Sequence, residues 1–384
     1  MKLDILIKNG HVIDPKQGIN GIKTIGILGN RVIHVDNESC GSNYIVDASG
    51  CYIFPGLVDF HTHLYYGGSE FGLKPDYMLP HGVTSAVDAG TSGYCNFDAF
   101  NRAVISSSTV KIRSFISVCT TGLCDPLIHQ NYDPKLFNER RIRETKDKYR
   151  DELLGLKIVL SKEIVGEHGL DSLKATVELA EKIGGLAVCV HTTDPPCTTK
   201  EITDVLRSGD IFCHCYHGAG ATIVDENGKV HEGIKKARNR GVIFDAANGI
   251  GHFNHSVCRL AINDNFLPDI ISSDAVFFGY NRSRRNKNLS YVMSKYLSLG
   301  IDISTIVKAV TETPAYLMKM EGKIGTLASG AFADVAIFKL TDQNILFEDD
   351  QSKLYEGDRL LIPQMTISNG KIVYSQTDFN NNLY

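Results

Sequence analysis

His61 and His63 stand two residues apart at the end of the apolar run Gly56-Leu57-Val58-Asp59-Phe60. In a strand, residues i and i+2 point to the same side, so both imidazoles face one way. Imidazole nitrogen binds zinc at ~2.0–2.1 Å, and two rings on one face can share a cation. His-x-His alone is common, and a surface loop with two unrelated histidines explains it as well; the buried-looking strand before it favours ligation. Lys157 lies inside LLGLKIVL, residues 153–160, among apolar and glycine neighbours. An ammonium there is costly to desolvate, so its pKa is expected to fall and a neutral amine to become accessible. Such an amine can add carbon dioxide to give a carbamate, an anion with two oxygens that could bridge two cations. A lysine snorkelling from a strand end is the plain alternative.

His191 follows LAVCV, and His214 follows DIFC. Either one alone reads somewhat better as a core histidine. Asp274 follows PDIISS, where a carboxylate can touch a metal and accept a proton, or cap the next segment. Cys213 and Cys215 flank His214, so alternation turns both away from the side His214 faces, and they read as packing residues. What favours chemistry is the set: His61, His63, Lys157, His191, His214 and Asp274 all fall at the ends of, or inside, apolar runs.

Those runs are the elements that must position them. Eight occur, at residues 56–61, 83–89, 110–118, 154–160, 186–191, 211–214, 242–246 and 269–273. Helical patterns lie between, such as 172–183, 200–207 and 232–240. Near-continuous apolar strands alternating with helices predict a parallel sheet covered on both faces. Eight such units over about 250 residues predict an α/β (β/α)8 TIM barrel, whose chemistry sits at the C-terminal ends of the strands. A doubly wound sheet is the alternative. The first 55 residues and the last 60 have another rhythm, short β-segments with tight turns: Asn9-Gly10, Gly29-Asn30 and Asn369-Gly370 each separate two apolar runs and predict hairpins. The expectation is a small β-sandwich domain built from both termini, 1–55 and 325–384, around a barrel at 56–324.

Composition is that of an ordinary globular chain: 384 residues, 43% hydrophobic, 22% charged, net charge -4. No long block of like charge suggests nucleic acid, and no stretch approaches the ~20 apolar residues of a membrane span. The start, MKLDILIKNG, lacks the features of a signal peptide, and the 10 scattered cysteines read as reduced thiols; a cytoplasmic location is expected. A small-molecule substrate is the expected partner, with a homo-oligomer as a further possibility.

GLVDFHTH, a lysine on the fourth strand, histidines after the fifth and sixth and an aspartate after the eighth resemble the amidohydrolase superfamily. GTLASGAFADVAIF, residues 325–338, is similar to that superfamily's return to its small β domain. HTHLYYGG, VDAGTSG, GLKIVLS and HCYHG resemble its dihydroorotase-like, deacetylase-type subgroup. The resemblance implies two divalent cations, Zn expected and Mn or Co as alternatives. It places the more buried one on His61 and His63, the second on His191 and His214, a carboxylated Lys157 between them, and Asp274 on the first as proton shuttle. Asn248 stands where that subgroup usually has a His-Gly pair, which leaves the substrate open.

The chemistry expected of such a pair is a water of lowered pKa and a polarised carbonyl. Tyr65, Thr91, Ser92, His217 and Asn248 are candidates for substrate contact, with His129 and Arg282 as weaker ones. Three functions follow: a metal-dependent hydrolase of an acyclic amide or ester, deacetylase-like, acting on an N-acetyl amino acid or acetyl hydroxy acid; a cyclic amide hydrolase of dihydroorotase or hydantoinase type; or a structural paralogue without activity. The last predicts lost ligands, and all six are present. Cyclic amidase relatives often carry an arginine soon after His-x-His, whereas Leu64-Tyr65-Tyr66-Gly67-Gly68 follows here, which favours the acyclic reading.

Overall fold

The computed structural model describes residues 2–35, 41–128, 130–282, 284–285 and 288–380. Seven parallel strands lie side by side in chain order: β1 (Leu57–Thr62), β2 (Val83–Gly93), β3 (Lys111–Ser117), β4 (Leu153–Val159), β5 (Ala187–His191), β6 (Ile211–Cys213) and β7 (Ile243–Asp245). Every residue of β1, β2 and β4 is buried, as a sheet covered on both faces requires. Val58, Phe60, Val87, Phe115, Leu154 and Ile211 form one apolar cluster. Leu57, Leu156, Ile158 and Phe212 belong to another, shared with helix residues such as Leu173, Ile202 and Ile234. The alternation of strand side chains thus divides an inner layer from an outer one.

The eighth apolar run is not a regular strand. It nevertheless joins the two edges of the sheet: Asp245 forms a parallel bridge with Ile270, and Thr62 with Ala275. Ala246 N donates to Ile270 O at 3.0 Å and His63 N to Ala275 O at 2.9 Å. The fold is of TIM-barrel type. The expected helices are present as Gly169–Lys182, Thr199–Val205 and Glu232–Asn239. The second starts at a capping box in which Thr198 and Glu201 satisfy each other's backbone N–H groups. Among the described residues no helix is long and apolar enough to cross a membrane.

Strands from both ends of the chain form two further sheets. One holds Arg31–Ile33, Ile25–Leu28, Leu3–Lys8 and Ser42–Asp47. The other holds Lys371–Ser375, Leu354–Ser368, Val335–Glu348, Tyr52–Pro55, His11–Asp14 and Ile19–Ile22. Ile5, Ile7, Val12, Ile27, Ile53, Val335 and Ile367 share one core between them. The turns at Gly29-Asn30 and Asn369-Gly370 close hairpins as expected. The turn at Asn9-Gly10 does not. Leu3–Lys8 pairs with Ile25–Leu28 and Ser42–Asp47, and His11–Asp14 pairs in the other sheet. Asn9, at φ 63, therefore carries the chain from one sheet to the next. A local turn signal cannot tell these outcomes apart, because the strand partners lie elsewhere in the sequence. The long hairpin of Val335–Glu348 and Leu354–Ser368 also reaches the barrel, where Leu361 N donates to Ser294 Oγ at 2.9 Å.

Candidate metal centre

The six residues singled out above meet at the C-terminal ends of the barrel strands. His61 lies in β1 with His63 just beyond it, Lys157 lies in β4, His191 ends β5, His214 follows β6, and Asp274 lies in the bridging run. His63 Nε2 is 3.2 Å and His61 Nε2 3.7 Å from Asp274 Oδ1. Lys157 Nζ is 3.4 Å from His61 Nε2. The His191 and His214 rings are 4.3 Å apart between centroids, and those of His61 and His214 5.0 Å. Candidate ligand atoms of His61, His63 and Asp274 lie within 4.8 Å of one another, and so do those of His191, His214 and His252.

Three of the four rings are aimed by their other nitrogen. His61 Nδ1 is 3.2 Å from Asp245 Oδ2, His63 Nδ1 2.9 Å from Thr91 Oγ1, and His214 Nδ1 2.7 Å from the Ala247 carbonyl. Engaging Nδ1 turns Nε2 inward, the arrangement that outer partners impose on metal-binding histidines. His214 Nε2 is buried with no hydrogen-bond partner among the described residues. An unpaired buried polar atom costs about 1–3 kcal/mol, which a cation would offset. Burial holds the His61, His191 and His214 imidazoles well below their ordinary range, so they are neutral and available as ligands. Donor type, convergence and this orphaned nitrogen all fit divalent cations of the zinc class.

The surroundings of Lys157 reverse one expectation. Burial does push its ammonium down. The Cys189 and Cys213 thiols and the Asp274 and Asp245 carboxylates act the other way, and its pKa ends above the ordinary lysine value. Only the apolar neighbours along β4 are visible in the sequence; the acidic groups come from other strands. Cys213 also departs from expectation. It joins the inner cluster, with Sγ 3.2 Å from Cys189 Sγ, while Cys215 packs outward. Strand alternation turns Cys213 inward, and His214 joins it inside because its backbone leaves the strand at φ 61.

Left-handed backbone recurs along this rim: Ala247 has φ 35 and Asp274 φ 50. Such residues cost of order 1–3 kcal/mol each and persist where surrounding structure holds them. Here the holders are buried carboxylates. Asp59 accepts from Ser273 N and Oγ, next to Asp274. Asp245 accepts from Ala247 N and Ser272 Oγ. Asp88 accepts from the N–H groups of Leu64, Gly90 and Thr91 and from Thr91 Oγ1, which in turn meets His63. These three aspartates and Thr193 are residues of the candidate site that sequence reasoning passed over, and it gives His252 no role. A carboxylate within an apolar strand, as in AVDAG or IFD, is the signal that could have found the aspartates, since buried charge demands partners.

A cavity of about 400 Å³ opens over the cluster. His61, His63, Lys157, His191, His252 and Asp274 form its floor, with Phe71, Leu123, Ile164, Ile250, Val276 and Phe278 as apolar walls and Glu163 and Asp194 at polar positions. A larger one, about 590 Å³, lies at the opposite end of the strands beside Leu154, Ala187 and Ile211 and has no histidine. The five residues expected to touch substrate do not line the first cavity. The Tyr65 ring packs on Phe100 at 4.9 Å in the outer core. Thr91 is spent on His63 and Asp88. Ser92 and His217 are fully buried, and burial lowers His217 to about 4. Asn248 Nδ2 donates to the Ser272 carbonyl and the Tyr296 hydroxyl. Proximity in sequence to a ligand does not set the direction of a loop side chain. Arg282 is exposed with its guanidinium over Phe277, and His129 lies outside the described residues.

The sequence pattern of the amidohydrolase family matches residues 52–373. A deacetylase of Brucella anthropi is 29% identical over 84% of this chain and 80% of its own length. A deacetylase of Enterococcus faecalis is 27% identical over 97% of this chain and 99% of its own. Among solved structures, a dihydroorotase superposes with TM-score 0.84 and 26% identity over 97% of this chain and 98% of its own. An adenine deaminase superposes with TM-score 0.86 at 24% identity, over 97% and 100% of the two chains, a likeness of fold.

Proposed function

Because the chain belongs to the amidohydrolase family and is a hydrolase acting on C–N bonds, we propose that it is a binuclear metal-dependent deacetylase of small acyl compounds. The observation that carries this reading is the convergence of four histidines in or just after barrel strands, Lys157 and Asp274, with the Nδ1 atoms of His61, His63 and His214 tied back. On this reading His61, His63 and Asp274 would hold an inner cation and His191 and His214 an outer one, and Lys157, carboxylated on Nζ, would add oxygen donors to them. When bound, such cations, zinc by preference, would supply a water of lowered pKa and Lewis acidity toward a carbonyl oxygen. Asp274 would accept a proton from the attacking water and return it to the leaving nitrogen, so that an amide and water become an acid and an amine. The apolar walls shield the acyl group from bulk water.

The same reading takes residues 56–324 as the hydrolase unit and 1–55 with 325–384 as one β-sandwich unit. It takes the substrate as acyclic, because no arginine lines the cavity among the described residues. Cyclic amides are the second reading, supported by the likeness to a dihydroorotase. Protein purified without chelator, analysed for metal and assayed on N-acetyl amino acids, acetyl hydroxy acids, uncharged acetamides and cyclic ureides, tests both. Near two equivalents of zinc with acetyl release is expected. One equivalent or less after metal and bicarbonate are supplied ends the binuclear reading, and ring opening without acetyl release replaces the deacetylase by the cyclic amidase.

A further inference from the structure

We propose that His252, on the loop after β7, is a third imidazole ligand of the outer cation, beside His191 and His214. This rests on the binuclear reading above and extends its donor set to the loop after β7. The His252 ring lies 4.3 Å from that of His214 and 4.8 Å from that of His191 between centroids. One ligand atom from each of the three falls within 4.8 Å of the others.

The ring is held as that of His63 is held. Its Nδ1 is 2.9 Å from Thr193 Oγ1, as His63 Nδ1 is 2.9 Å from Thr91 Oγ1. Its Nε2 is left facing the centre, 3.7 Å from Asp274 Oδ2. Three imidazoles gathered on one point, with the His214 Nε2 unpartnered among the described residues, lack an acid to bind them together. A cation supplies one.

Room for the ring is built into the loop. Gly249 has φ 51, and a Cβ there would stand 2.4 Å from His252 Cδ2 and 2.5 Å from Asp274 Oδ2. Any side chain at this position would drive His252 and Asp274 apart. A histidine that only brushed the cavity wall would need neither the Thr193 contact nor this gap.

The test uses the full chain. Zinc content, competition against a chromophoric chelator, and X-ray absorption of the zinc form are compared for wild type, His252→Ala and Thr193→Val. The expected result is that His252→Ala keeps one tight zinc, loosens the other by more than the about 10–100-fold typical of an outer partner, and shows one imidazole fewer. Thr193→Val should retain every imidazole and loosen the same zinc within that ~10–100-fold range. Circular dichroism checks folding, and His252→Gln replaces His252→Ala if the latter does not fold. Two zinc ions bound by wild type and variant with equal affinity and equal imidazole number overturn the role of His252 alone. Fewer than two in the wild type overturn the binuclear reading together with it.

Discussion

Asp274 places ligand and proton carrier in one carboxylate. Burial works to raise its pKa, but the neighbouring His63, His252 and Lys157 side chains outweigh it and hold the group below the ordinary value. It is therefore ionised and ready to accept a proton. An amide in its place can still offer an oxygen to a cation but cannot take a proton at neutral pH. Asp274→Asn should keep its zinc and its melting temperature while kcat falls by about 10²–10⁴-fold, the usual worth of general acid–base help. Metal analysis and steady-state kinetics on one acetylated substrate measure this. A variant with full metal and near-full kcat would move the proton to another group.

Elements set where those residues end up, and two positions expose that control. Gly90, in β2, has φ 83, and a Cβ on it would lie 2.5 Å from Lys157 Cβ. The lysine stem occupies the space that the glycine leaves. Gly90→Ala combines left-handed strain of about 1–3 kcal/mol with a shove on Lys157. Both the unfolding midpoint and the zinc content should drop; an unchanged zinc content would show that β2 does not position Lys157. Lys295, fully buried in helix Leu289–Ser298, donates to the Arg285 carbonyl at 2.6 Å and lies 4.3 Å from the Phe253 ring centre. Burial lowers it to about 7. In the unfolded chain a lysine titrates near ~10.4. Between those values the unfolded chain keeps a proton that the folded one has released, so this residue makes stability rise with pH across that window and weakens it below about 7. Urea unfolding at pH 7 and pH 9 should show a smaller rise for Lys295→Met than for wild type. Equal rises would assign the titration to other groups.

At the scale of the whole molecule, cations bound at the rim would join strands that are far apart in sequence, since His61 and Asp274 stand near the two ends of the barrel segment. A ligand that binds only the folded state stabilises it by RT ln(1 + [L]/Kd), about 2.7 kcal/mol at a hundredfold excess over Kd. Dialysis against chelator should lower the melting temperature, and zinc should restore it in a concentration-dependent way. A melting temperature indifferent to both would mean that the barrel closes without help. The hydrogen bonds of the 269–275 run to both sheet edges would then suffice.

The six converging residues and the barrel-type alternation were legible in the sequence because both follow from local rules. Strand side chains alternate, buried strands read as unbroken apolar runs, and a histidine, lysine or aspartate breaking such a run is conspicuous. The tertiary structure decided whatever depends on neighbours from other strands. It brought Cys189, Cys213, Asp245 and Asp274 around Lys157 and so reversed the direction of its pKa. It turned Tyr65 and Asn248 into the packing and sent the Asn9-Gly10 turn across two sheets. It carried His252 into a cluster whose other members end strands. A loop has no period to read: the direction of its side chains is set by the surfaces it lands on, and those exist only once the chain has folded.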